Sequence, residues 1–147
     1  NLTNKIKGKI NKIDITFENG NISSKIFNLS LANLDIKMNF YLKRYPTYNN
    51  LDYKLLIKSD NINKFYKIIN LKKNHKYAKV DLIIEGNINL SAQKYYFNKI
   101  EINKKKLNKE ELITLKNYFD KNSLNHLNKE INKKNIYLIL KELLETI

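Results

Sequence analysis

Residues 78–90 read AKVDLIIEGNINL, with Ala78, Val80, Leu82, Ile84, Gly86, Ile88 and Leu90 all on one parity. A period of two over such a run is the mark of a β-strand with one face turned to apolar surroundings. Strands in globular proteins typically have about five or six residues, so this one implies a sheet of long strands with a wide apolar side. Tyr95 and Phe97, followed by Ile100 and Ile102 on the other parity, give a strand returning across a turn around Ser91 to Lys94, with a parity switch inside it.

The same alternation extends toward the N-terminus. Leu51, Tyr53, Leu55 and Ile57 form another half-buried strand, preceded by a loop over Tyr45–Asn50. Ile13, Ile15 and Phe17 alternate up to Asn19–Gly20, a dipeptide that favours the two-residue hairpin turn with positive φ at both positions. The return strand carries Phe27, Leu29 and Leu31 on one parity and Leu34, Ile36, Met38, Phe40 and Leu42 on the other. The switch near Ala32 and Asn33 predicts a bulge or a short break, because a one-residue slip turns every side chain to the opposite face.

Two regions have helical spacing. Ile62, Phe65, Tyr66 and Ile69 make one stripe after Ser59 or Asp60 as N-cap, predicting a helix over about 60–70, and Lys72 to His75 form a basic connection. Beyond Lys104, Lys105 and Lys106, Asn108 and Glu111 have the spacing of a capping box, with Leu112, Leu115 and Phe119 continuing the stripe. Asn122 or Ser123 is expected to cap a short second turn bearing Leu124 and Leu127. A final helix is expected with Ile136, Leu140, Leu143 and Ile147 on one stripe. The fold class is therefore α+β: a long-stranded, mostly antiparallel curved sheet with one short inserted helix and a C-terminal helical segment. Residues 1–147 are read as a single unit, with 1–103 β-rich and 108–147 helical. The chain starts at Asn1 and enters a strand pattern within a few residues, so it is expected to be a segment of a longer protein, with any membrane anchor upstream.

The chemistry is sparse. No cysteine is present, which excludes disulfides and thiolate metal sites. His75 and His126 lack a neighbouring nucleophile or HExxH arrangement, and Gly8, Gly20 and Gly86 are isolated, which excludes a P-loop or dinucleotide fingerprint. Asp14, Asp35, Asp52 and Asp81 sit on the polar parity among lysines, as cross-strand partners, and Glu110 and Glu111 lie where a helix dipole favours negative charge. No catalytic residue, metal ligand or cofactor is expected. The net charge of +14 raises nucleic acid as a partner. Yet Arg44 is the only arginine, and arginine is the commonest specific reader of bases. Abundant lysine, asparagine and isoleucine together are what an A/T-rich genome produces. No run approaches the roughly 18 apolar residues of a membrane span.

One resemblance emerges from the order of elements. The stretch SDNINKFYKIIN (59–70), a lysine-rich connection, the long strand of 78–90, FNKIEIN (97–103) and an asparagine-rich helical tail ending in Ile136–Leu144 together resemble the C-terminal region of AsmA-like proteins of Gram-negative bacteria. The final Glu145, Thr146 and Ile147 depart from that family's usual ending. The resemblance implies a non-enzymatic, periplasmic part of an inner-membrane-anchored envelope protein, whose β-sheet curls into an apolar groove for phospholipid transport and outer-membrane biogenesis. Phospholipid acyl chains would be the partner. Leu51, Tyr53, Leu55, Ile57, Val80, Leu82, Ile84, Ile88 and Leu90 would be the lipid-facing residues. Two other readings stand beside it: a basic nucleic-acid-binding module, and a structural or protein-interaction domain whose sheet is fully covered by its own helices.

Overall fold

A computed structural model of the chain describes residues 8–31, 33–68 and 78–127. Seven antiparallel strands form one open sheet in which spatial order equals chain order. They are β1 (Gly8–Glu18), β2 (Asn21–Leu31), β3 (Leu34–Arg44), β4 (Asn49–Ser59), β5 (Val80–Asn89), β6 (Lys94–Ile102) and β7 (Lys105–Lys106). Helix α1 (Ile62–Ile68) lies in the connection from β4 to β5, and α2 (Lys109–Leu127) follows β7. The long-stranded α+β architecture expected from the alternation is what the chain adopts.

The turns follow from local chemistry. Asn19 and Gly20 have φ of 49° and 77°, the positive pair that a two-residue hairpin turn requires. The parity switch near Asn33 is a chain reversal rather than a bulge or break within one strand: Leu31 pairs with Leu34, and the expected return strand is two strands, β2 and β3. Asn33 holds this corner with its side-chain amide, donating to Ser59 Oγ at 2.7 Å and to the Asn61 carbonyl. A third tight turn, at Asn103 and Lys104 with φ of 49° and 71°, folds Lys105–Lys106 back onto β6. The lysine run is thus partly a strand, not only the connection its composition suggested.

Extra residues keep the apolar side chains together. Ile10 and Ile13, Ser24 and Phe27, and Phe97 and Ile100 are each three positions apart yet share one face. The register slips by one residue at Asn11, at Lys25 and at Asn98. The predicted parity switch in β6 is the last of these bulges.

Both helices start on side-chain caps. Asn61, not Ser59 or Asp60, is the N-cap of α1: its Oδ1 accepts from the Asn63 amide at 3.1 Å, while Ser59 Oγ accepts from Asn61 N. Asn108 and Glu111 close a reciprocal capping box, with Glu111 N donating to Asn108 Oδ1 at 3.0 Å and Asn108 N to Glu111 Oε2 at 2.7 Å. Helix α2 then runs without interruption through Asn122 and Ser123 to Leu127, where a separate second turn was expected. Strand β5 occupies Val80–Asn89, so Ala78 and Leu90 fall outside the strand that the alternation drew. Ile69, the connection at Lys72–His75 and the helix expected over Ile136–Ile147 lie outside the described residues.

The core is off-centre. Leu34, Val80, Leu82, Ile84, Ile100 and Ile102 on the sheet pack with Ile62 and Tyr66 of α1, Leu115 of α2, and Leu107. Burying such side chains contributes about 1.5–3 kcal/mol each, and nearly all of it falls between β4 and α2.

Candidate functional site

Cross-strand pairing sorts the apolar face into rows. Ile36, Ile57, Leu82 and Ile102 form one; Ile13, Phe27, Met38, Leu55, Ile84 and Ile100 the next. A third passes through Ser24, Phe40, Tyr53, Gly86 and Phe97, and a fourth through Phe17, Ile22, Leu42, Leu51, Ile88 and Tyr95. Every strand from β1 to β6 therefore contributes to one continuous apolar surface.

Among the described residues, helical cover is confined to one side of it. Helix α2 runs back along β6: Leu107 N donates to the Ile100 carbonyl at 2.9 Å near the helix start, and Asp120 accepts from Tyr95 N at 2.8 Å one end later. Phe119 sets its ring against Phe97 and Tyr95, centroids 5.5 and 5.6 Å apart. Helix α1 closes the corner at Ser59 and Val80, with Ile62 N bonded to the Ala78 carbonyl.

Under this cover the residues expected to face a ligand divide. Val80, Leu82 and Ile84 are buried in the core. Leu51, Tyr53, Leu55, Ile57 and Ile88 remain half-buried on the face, and Leu90 is an exposed residue of the turn after β5. On the sheet, the most open side chains of the apolar face are elsewhere, on β1: Ile10 is 59% exposed, Ile13 45%, Ile15 44% and Phe17 74%. The alternation of Ile13, Ile15 and Phe17 is plain in the sequence, whereas Ile10 joins them only through the bulge at Asn11; alternation shows which face a residue takes and not whether a helix lies over it.

The face is also electrically silent. Burial, with a smaller effect from Tyr95, pushes the Tyr53 phenol well above its ordinary range. Tyr95 is raised in the same direction by burial and by the nearby Asp120 carboxylate. Both hydroxyls stay protonated at any physiological pH, so neither phenol adds a charge to this side.

The opposite side is built from ion pairs. Lys54 meets Glu85 at 2.8 Å and Lys99 meets Glu101 at 3.0 Å, with Lys58–Asp81 and Lys43–Asp52 at 3.6 and 3.8 Å. The hydrogen bond that Lys54 donates holds the Glu85 carboxyl below its ordinary value, and the one that Lys99 donates to Glu101 raises Lys99. Asp52 and Asp81 are the cross-strand partners that their parity predicted. A shallow trough of about 550 Å³ crosses this polar side, bordered by Lys25, Asn39, Lys54, Glu85 and Asn98. Of the expected lipid-facing residues only Tyr53 reaches its lining. Alternating signs along the strands mean that the lysines here do not form the uninterrupted basic stripe that tracks a phosphate backbone.

Among the described residues, no cluster of three or more metal-ligating side chains occurs, and no helix is long and apolar enough to cross a membrane. Comparison with known proteins finds no family model, no curated protein and no solved structure that matches the chain.

Proposed function

We propose that this chain is the capped end of an apolar lipid groove, a segment of an AsmA-like periplasmic envelope protein that shields phospholipid acyl chains on their way toward the outer membrane. The observation that carries the reading is the distribution of cover: α1 and α2 close the face over β5 and β6, while β1 bears exposed isoleucines and Phe17, and β2–β4 keep half-buried apolar rows. A fully covered structural domain would enclose those residues.

The mechanism is passive. Each methylene group kept from water is worth about 0.8 kcal/mol, so a continuous apolar wall holds an acyl chain without directed bonds and lets it slide between rows. The uncharged state of Tyr53 and Tyr95 preserves that property, and the ion-paired side keeps the sheet hydrated from behind. Of the residues the resemblance implicates, Leu51, Tyr53, Leu55, Ile57 and Ile88 would contact lipid, and Val80, Leu82 and Ile84 would support the wall from within the core.

The test is a photocrosslinking amino acid placed at Leu55, on the apolar face, or at Lys37, on the polar one. Phospholipid adducts from position 55 and none from 37, with co-purifying phospholipid in native mass spectrometry, are expected. Lipid-free protein with no adduct from position 55 would overturn the reading.

A further inference from the structure

The two edges of the sheet are unlike. One ends in β7, a two-residue strand that leads directly into α2. The other is β1, eleven residues long, with β2 on one side and no described strand on the other. A free edge presents unpaired N–H and C=O groups, and natural proteins commonly blunt it with proline, an inward charge or a covering element. Strand β1 has Lys9 and Lys12 on its polar side and a bulge at Asn11, but it contains no proline, and its apolar side carries Ile10, Ile13, Ile15 and Phe17 with no charge among them.

We infer that β1 pairs with β1 of a second copy, antiparallel, about a two-fold axis at Ile13. The sequence around that residue is self-complementary in this register. Ile13 faces its own copy on the apolar side, and Lys12 faces Asp14 of the copy on the polar side, twice by symmetry. Carrying Asn11 as the extra residue, as the pairing with β2 already does, sets Ile10 against Ile15 of the copy. Opposed residues of antiparallel strands share a face, so the two apolar surfaces join into one across the axis. The free backbone edge and the exposed isoleucines are satisfied together, and opposite charges meet where like charges would oppose the pairing. This inference does not depend on the lipid reading: a lipid-free dimer and a lipid-bearing monomer are different results.

The chain has no cysteine, so Ile13→Cys introduces a single thiol. Directly opposed Cα atoms lie about 4.5–5.5 Å apart, within the range a disulfide spans. Light scattering through a micromolar dilution series is expected to give twice the 17.5 kDa chain mass. Ile13→Cys is expected to crosslink on mild oxidation, and Lys37→Cys, on β3, is not. Either Lys12→Asp or Asp14→Lys is expected to weaken the dimer about tenfold, because two like-charge contacts replace two opposite ones. The double variant restores it. Both positions are exposed and outside the core, so these variants fold whether or not the dimer forms. A monomer throughout the series, single reversals without effect, or a double variant that fails to recover would each overturn the inference.

Discussion

At Gly86 a β-carbon would run into the backbone carbonyl oxygen of Tyr96, well inside contact distance, and would press on the Tyr53 hydroxyl at 3.1 Å. The residue lies on the apolar parity of β5, beside the Asn98 bulge of β6. The neighbouring strand comes close because nothing projects from Gly86. Gly86→Ala is expected to destabilise the protein by about 1–3 kcal/mol, since backbone must shift rather than a flexible side chain; urea unfolding with an unchanged m-value checks this. The sequence places Gly86 on the apolar face, and the parity switch between Phe97 and Ile100 announces the bulge. What it does not contain is the meeting of the two, because that depends on which residue of β6 stands opposite. Asn33 is a harder case. Its bonds to Ser59 and Asn61 reach 26 and 28 residues along the chain, and no local pattern encodes a partner so distant, which is why the corner it holds reads in sequence as a mere interruption.

Helix α2 shows which features of an element are written locally. The capping box at Asn108 and Glu111 involves residues three apart and is legible at sight. Leu107 looks like a stray apolar residue after a lysine run, yet it is buried, and with Leu112 it occupies the N′ and N4 positions of a hydrophobic staple. The stripe also says which face turns inward: Leu115 is 1% exposed and Ile113 48%. Leu115→Ala is therefore expected to cost about 2–5 kcal/mol, and Ile113→Ala no more than about 0.5 kcal/mol, compared by thermal and urea denaturation. Equal costs would mean that α2 does not sit on β6 in this orientation. The break expected at Asn122 and Ser123 failed for a physical reason: capping residues favour a helix start without enforcing one, and a helix already propagating can carry them at small cost.

Across the whole molecule, packing falls away from one side of the sheet to the other. The buried side chains gather from β4 to α2, while β1 keeps its apolar groups exposed. Amide hydrogen exchange is expected to mirror this, with strongest protection in β5 and β6, intermediate protection in β3 and β4, and weakest in β1, since local opening is cheapest where buried contacts are few. Uniform protection across the strands would contradict it. The overall class and the apolar face could be read from alternation, but not all the strand bounds: the one return strand it drew is two, and β5 stops short of Ala78 and Leu90. The lopsided cover could not, because it depends on where α1 and α2 come to rest.

Spatial order that repeats chain order has a mechanical meaning. Among the described strands, each interior one pairs only with the strands just before and just after it in the chain, so no ladder joins strands that are remote in sequence. Assembly can begin at β5, β6 and α2 and proceed strand by strand toward β1, as a zipper closes. Tension applied at the β1 end would meet one ladder at a time rather than all of them in parallel, and the sheet would peel from that side in steps while its capped end held.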